Sequence, residues 1–265
     1  MKQRNIRLLI TYDGTNFCGW QRQRNGPSIQ ETLEQRLTRI TRTAVQVNGA
    51  GRTDAGVHAQ GMVANFSTGA TMPAPAFAKA LNSMLPKDIR ILGAEEAALD
   101  FHARFSAKGK TYRYDFFTGA IQSPTERLYR THFPCSFMPD RVRASLDFLV
   151  ATHDFASFEA VGSRDRTRTT GRGAVRTLFQ AQCLVDPIRP EHFSLRFSGD
   201  GFLRHMVRNL AGTLIRVGTS RLSVEQFIAI LEAQDRKEAS PTAPACGLFL
   251  EAVLYEEMSG NDGAS

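Results

Sequence analysis

The sequence predicts an α+β protein made of two ferredoxin-like halves, each of the order β-α-β-β-α-β. Three observations predict it. Short apolar runs of strand length alternate with amphipathic runs of helix length. The order strand, helix, strand, strand, helix, strand is met in the first part of the chain and then again in the second. A chain of 265 residues has room for about two such units, placed here at 1–105 and 106–265.

Residues 6–12 (IRLLITY) read as a buried strand. Ser28 to Thr41 is a helix: Ile29, Leu33, Leu37 and Ile40 form one apolar stripe, and Ser28 with Glu31 makes a capping box. Strands follow at 45–49 (VQVNG) and 60–67 (QGMVANFS). A helix from Ala74 to Leu85 is stopped by Pro86, and a strand at 89–94 closes the first half. The second half has strand 110–117, helix 139–150, strands 174–185 and 192–198, helix 205–217 and strand 247–255. An additional amphipathic helix, Ser223–Gln234, carries Val224, Phe227, Ile228 and Leu231 on one face.

Charge points toward an anionic partner. The net charge is +7, and of the 33 lysines and arginines only six are lysine. Arginine pairs with phosphate bidentately and stacks on bases, which suits a nucleic acid; a GC-rich genome gives the same bias. Clustering is more specific: SRDRTRTTGRGAVR holds Arg164, Arg166, Arg168, Arg172 and Arg176 against the single acid Asp165, and reads as an exposed basic loop running into a strand.

Several function classes are excluded by absence. Cys18, Cys135, Cys183 and Cys246 show no CxxC or zinc spacing, so neither a disulfide framework nor a metal site is expected. The N-terminal apolar run is too short for a signal peptide and no stretch is long enough for a membrane span, so an unprocessed cytoplasmic protein is expected. The phosphate-loop pattern fails at Gly109-Lys110-Thr111, because Arg104 stands where its first glycine belongs. Serine-hydrolase, zincin and dinucleotide motifs are missing as well.

GAGRTDAGVHAQG at 49–61 remains. On its residues alone it reads as a tight connection in which Gly49, Gly51 and Gly56 supply positive φ and Asp54 bonds local amides. A glycine-flanked carboxylate between two strands is also where backbone can approach a ligand closely, with Arg52 beside it. His58 lies four residues from Asp54 but has no oriented nucleophile, which favours a structural part for it. In the run Trp20-Gln21-Arg22-Gln23-Arg24, a tryptophan beside Arg22 and Arg24 suggests a loop that meets RNA.

GRTDAGVHA resembles the signature of the TruA-type tRNA pseudouridine synthases. YDGTNFCGWQRQ (12–23), DFHARFSAKGKTYRY (100–114), HDFASF (153–158), GFLRHMVRNLAGTLIRVG (201–218) and APACGLFL (243–250) are similar to that family's segments, in its order. The resemblance implies the pseudouridine synthase fold, with the two halves joined into a mainly antiparallel sheet and a catalytic cleft between them. It implies isomerisation of uridine to pseudouridine at positions 38, 39 and 40 of the tRNA anticodon stem-loop, by a homodimer, with no metal or cofactor. Arg164–Arg172 is where the chain is least like the family; contact of Arg164 and Arg166 with tRNA is an expectation from charge alone. A non-catalytic RNA-binding protein on ferredoxin-like halves is the alternative of another class, but no strand carries the RNP1 pattern of such binders. A synthase acting on another RNA is the third reading.

The resemblance places the catalytic aspartate at Asp54. A carboxylate can attack C1′ or the C6 edge of the base, or take the 2′ proton, and then leave again. A cation must keep it ionised, and an adjacent guanidinium lowers a carboxylate pKa by ~1–3 units. The resemblance assigns that cation to Arg208 of MVRN. On a helical wheel Leu203, Met206, Leu210, Leu214 and Val217 form the buried arc and Arg208 falls just beyond its edge. Tyr112 of KTYRY matches the tyrosine that stacks on the target base; strand alternation puts Tyr114 on the same face. Leu248 can pack on the same ring, and a core role fits it equally.

Overall fold

The computed structural model describes residues 3–163 and 171–255. Arg164 and Arg166, with most of the basic loop, lie outside the described residues. The chain divides into two compact units, Met1–Lys110 with Leu250–Ser265, and Thr111–Phe249. The first half runs β1 (Arg4–Tyr12), α1 (Ile29–Thr41), β2 (Asn48–Gly49), β3 (His58–Thr68), α2 (Ala74–Met84) and β4 (Ile89–Ala97). The second runs β5 (Gly109–Phe117), β6 (Thr131–His132), α3 (Pro139–Leu149), β7 (Thr152–Asp154), β8 (Val175–Val185), β9 (His192–Gly199), α4 (Met206–Gly218), α5 (Val224–Glu232) and β10 (Leu248–Leu254).

In the first half the strands lie in the order β4-β1-β3, with β2 paired to β3. This is the ferredoxin-like arrangement, with the first and third strands in the middle. Both main pairings are antiparallel: Leu8 opposes Ala64 on one side and Ala94 on the other. Alternation in β1 buries Ile6, Leu8, Ile10 and Tyr12 on the core side. The helices add Ile29, Leu33 and Leu37 from α1 and Phe77 and Leu81 from α2, with Phe77 edge-on to Phe66 at 5.3 Å.

The predicted strand at 45–49 shrinks to Asn48–Gly49. Side chains of α1 take the backbone bonds a ladder would have used: the Val47 amide donates to the Glu34 carboxylate at 3.0 Å, and the Val47 carbonyl accepts from Gln30 Nε2 at 3.0 Å. A backbone satisfied in this way needs no partner strand.

The second half has the order β10-β5-β9-β8, again with the first and third strands central, and β7 pairs with β8 at the edge. The β8–β9 pairing is antiparallel, Cys183 opposing Leu195. Its core is aromatic. Phe116 meets Phe137 edge-on at 5.1 Å and stacks on Phe193 at 5.4 Å. The short strands β6 and β7 have no hydrophobic run of their own and are found only through their neighbours.

Helix starts are also redistributed relative to expectation. At α1, Ser28 accepts from the Glu31 amide at 3.3 Å, but the reciprocal bond is not formed. The complete box is at α5, where Ser223 Oγ accepts from Gln226 N–H at 3.2 Å and Gln226 Oε1 accepts from Ser223 N–H at 2.9 Å. Ser223→Ala is expected to cost about 1 kcal/mol of stability, read as a lower denaturant midpoint at unchanged m value.

Candidate active site

Asp54 sits at the first position of a tight turn. The Val57 amide donates to the Asp54 carbonyl at 3.2 Å, and Gly56, two residues after Asp54, has φ +74°. A type II turn requires that sign at that place, so Gly56 has a conformational reason to be glycine. Gly49 and Gly51, predicted to share this role, do not have positive φ. Gly49 is instead covered by the Trp20 indole, whose ring would lie 2.4 Å from an added Cβ. Gly51 lies against the side chain of Lys110, whose Cε would lie 3.2 Å from an added Cβ.

The turn is held from outside by the segment after β1. Trp20 N–H donates to the Thr53 carbonyl at 3.1 Å and Gly56 N–H to the Phe17 carbonyl at 3.3 Å. The hydroxyls of Tyr12 and Thr53 share a buried bond at 2.8 Å. Gly19, at φ +98°, comes so close that a Cβ would lie 2.4 Å from the Thr53 carbonyl oxygen. Asp54 itself stays half-buried and Arg52 exposed. The backbone under the carboxylate is therefore anchored from residues far away in sequence, while its side chain retains access to solvent.

His58 begins β3 and is 1% exposed. Its Nδ1 lies 3.2 Å from the Gly14 amide and 3.1 Å from Asp13 Oδ1, so the tautomer decides which of the two it bonds. Trp20 is core rather than part of an RNA-facing loop: it is 3% exposed and tilted against Tyr12 at 6.2 Å. Its large apolar ring has a ready pocket over Gly49, which the polar residues beside it do not. Arg22 and Arg24 are exposed, and Arg22 pairs with Glu34.

In the second unit, Tyr112 is 7% exposed and stands edge-on to Phe202 at 5.1 Å. Tyr114, two residues on, is fully buried. Its hydroxyl bonds Thr131 Oγ1 at 2.7 Å and donates to the Pro244 carbonyl at 3.0 Å. Burial pushes its phenol above the ordinary tyrosine range, so it keeps its proton and acts as a brace. It secures the short 3-10 turn Ala245–Gly247, whose Gly247 comes close to the Asp115 carbonyl, and so places Leu248. Leu248 is buried.

Arg208 lies on α4, half-buried, and is bonded twice to Ala243: its Nε donates to the Ala243 carbonyl at 2.7 Å, and its own carbonyl accepts from Ala243 N–H at 3.2 Å. MVRN and APACGLFL are thus tied at their first contact. The buried arc of α4 is wider than the wheel predicts and includes Val207, Asn209 and Thr213, whereas Leu203 precedes the helix. The reason is that α3, α5 and the segment before Ala243 all pack on it. Of the basic loop, the described Arg172 pairs with Asp200.

A family model described as tRNA pseudouridine synthase matches residues 8–106 and 148–256. The chain belongs to the tRNA pseudouridine synthase family. This synthase is 48% identical over 252 residues to a protein from Desulfotalea psychrophila named tRNA pseudouridine synthase A 1, covering 95% of this chain and 100% of the relative. It is 42% identical over 252 residues to tRNA pseudouridine synthase A of Lacticaseibacillus casei, covering 95% and 99%. Among solved structures it is similar to a Cbf5-Nop10-Gar1 complex at 11% identity and a TM-score of 0.32, over 79% of this chain and 45% of that one.

Sequence reasoning missed Asn209 in this synthase. Fully buried, Asn209 donates to the Phe158 carbonyl at 2.7 Å and accepts from Thr242 Oγ1 at 2.7 Å and Arg236 Nη2 at 3.2 Å, joining HDFASF to the segment that leads into APACGLFL. The available signal was an amide placed inside an apolar helical arc, since a buried amide needs partners.

Proposed function

We propose that this chain isomerises uridine to pseudouridine at positions 38, 39 and 40 of the tRNA anticodon stem-loop, as a cytoplasmic homodimer. The observation that carries the reading is Asp54: a half-exposed carboxylate on an anchored glycine turn, within a signature that the family resemblance assigns to the catalytic aspartate. Similarity over 95% of the chain to proteins named tRNA pseudouridine synthase A supports the substrate.

The reaction breaks the N1–C1′ bond and forms a C5–C1′ bond, while C5 loses a proton and N1 gains one. It is redox-neutral, so the chemistry asks for no electron carrier. Asp54 serves as the nucleophile, with C1′ and C6 as its possible points of attack; removal of the 2′ proton is the other route open to it. Arg208 serves as its ionic partner, and Tyr112 and Leu248 hold the uracil. A base removed from its stack is worth holding, since stacking on an aromatic ring contributes ~1–3 kcal/mol. Arg52, Arg22 and Arg24, with Arg164 and Arg166, are assigned to the RNA around the target, and His58, buried against Gly14 and Asp13, to supporting the segment that carries Asp54.

The test is incubation with unmodified tRNA followed by nucleotide-resolution mapping. New pseudouridine confined to positions 38–40 is the expected result. Modification elsewhere, or only in another RNA, would replace the positional assignment; tight binding without any isomerisation would return the chain to the class of RNA-binding proteins.

A further inference from the structure

A second basic feature lies wholly within the second unit. A groove of about 760 Å³ runs beside α4 and is lined by Arg204, Arg216, Arg236 and Lys237, with Glu238 as its one acid. Its wall is a built structure. The segment from Arg236 to Thr242 is fitted against α4 at Gly212, where an added Cβ would lie 2.4 Å from the Pro241 carbonyl oxygen. Ser240 N–H donates to Thr213 Oγ1 at 3.3 Å, and Thr242 Oγ1 donates to Asn209 Oδ1 at 2.7 Å.

Arg236 is the unusual member. Its guanidinium is half-buried and donates to the Ala239 carbonyl, Asn209 Oδ1 and Thr242 Oγ1 at 3.1–3.2 Å. All three acceptors are neutral, so among the described residues the cation is fixed in place without a counter-charge. Burial lowers its pKa from the ordinary arginine range, as expected for a desolvated cation with no anion beside it. Ser240 supplies an independent sign: 3% exposed, its hydroxyl has no hydrogen-bond partner among the described residues although the residue lines the groove. A buried hydroxyl of this kind is rare in a native fold unless a ligand or solvent completes it. His205, the N-cap of α4, also opens on the groove, bringing the positive end of the helix dipole.

The positions of the cations argue for a chain of phosphates. Arg204 precedes α4 and Arg216 lies ten residues beyond its first residue, Met206, so the two flank a helical rise of about 15 Å at ~1.5 Å per residue. That is roughly four nucleotide steps at ~3.4 Å per step along one strand. Arg216 and Lys237 are exposed and make no ion pair among the described residues. We propose that this groove grips the phosphodiester backbone of the RNA substrate, with Arg236 and the Ser240 hydroxyl receiving a phosphate oxygen at the floor and Arg204, Arg216 and Lys237 contacting its neighbours. The proposal rests on the reading of the chain as an enzyme of tRNA and adds a grip outside the residues that reading assigns.

Arg216→Ala combined with Lys237→Ala tests it, because neither side chain is needed to hold the fold; an unchanged melting temperature checks this. The logarithmic dependence of tRNA affinity on salt is expected to become shallower by about two units, and Arg216→Lys with Lys237→Arg to keep the original slope. An unchanged slope in the double alanine variant overturns the proposal. Inorganic phosphate, titrated at constant ionic strength, separates the sources: saturable phosphate binding that depends on Ser240 and Arg236, with tRNA affinity and slope unaltered in the double variant, would assign the groove to a free anion and overturn RNA contact. Wild-type turnover on unmodified tRNA is measured alongside. Binding with the groove-dependent slope but without turnover defeats the functional reading alone, whereas turnover with an unaltered slope in the double variant defeats only the groove.

Discussion

Asp54→Asn removes isomerisation while leaving the fold and tRNA affinity in place: that is the largest effect expected of any single substitution. The amide has nearly the same shape as the carboxylate, and the anchoring bonds around it are made by backbone, namely Val57 N–H to the Asp54 carbonyl, Trp20 N–H to Thr53 and Gly56 N–H to Phe17. None of these depends on the side-chain oxygen. The chemistry does depend on it. An amide can neither add to an electrophilic carbon as an anion nor take a proton, so each of the routes open to Asp54 fails together. A positioned acid or base alone contributes ~10²–10⁴ in rate, and a covalent nucleophile at least as much, so kcat should fall by at least about 10⁴. Mapping of pseudouridine after long incubation, with tRNA affinity measured on the same preparation, is the check. Turnover within tenfold of wild type would remove Asp54 from the centre of the reaction.

Gly19→Ala carries the second largest effect, and it tests how Asp54 is held. Two penalties coincide at this residue. Its φ of +98° is a conformation that L side chains rarely adopt, and the added methyl would lie 2.4 Å from the Thr53 carbonyl oxygen and 3.0 Å from the Asp54 carbonyl carbon. Both neighbours are backbone and cannot rotate away. The conformational part alone costs ~1–2 kcal/mol, and with the overlap a loss of about 3 kcal/mol is expected. For a chain of this length that lowers the melting temperature by roughly 6–12 °C. Relief requires the Thr53–Asp54 backbone to move, and a displacement near 1 Å at a reacting group costs ~10²-fold in rate. Gly93→Ala in β4 is the control, since an added Cβ there has nothing within 4 Å; its stability should stay within about 0.5 kcal/mol of wild type. Equal losses in the two variants would show that the Gly19 contact is not what supports the turn.

The helices were legible because their signals are local. Ile29, Leu33 and Leu37 form a stripe on α1 by spacing alone, and each is buried. Strands with continuous or alternating apolar residues were legible for the same reason, and two successions of them were enough to suggest both ferredoxin-like halves. The candidate residues came from a different kind of information, a set of short segments in a family's order, which no amount of periodicity could have supplied. Failures fall where a distant residue changes the outcome. Val45 to Val47 has the composition of a strand, but Gln30 and Glu34 take both backbone groups of Val47. Trp20 has polar neighbours in sequence and an apolar pocket over Gly49 in space. Asn209 looked like an ordinary helical residue until its three partners, from Phe158, Arg236 and Thr242, were brought to it.

The sequence by itself determined the class of the fold and the family, and its resemblance to that family is what singles out Asp54, Arg208 and Tyr112 as candidates. Local spacing and ordered motifs record those things directly. Only the tertiary structure decided why Gly19 must be glycine, which glycine the Asp54 turn requires, where Trp20 goes, and that Arg236 is fixed among neutral acceptors beside a Ser240 hydroxyl with no partner among the described residues. Each of these depends on the approach of atoms from segments far apart in the chain, and such distances have no trace in the order of residues.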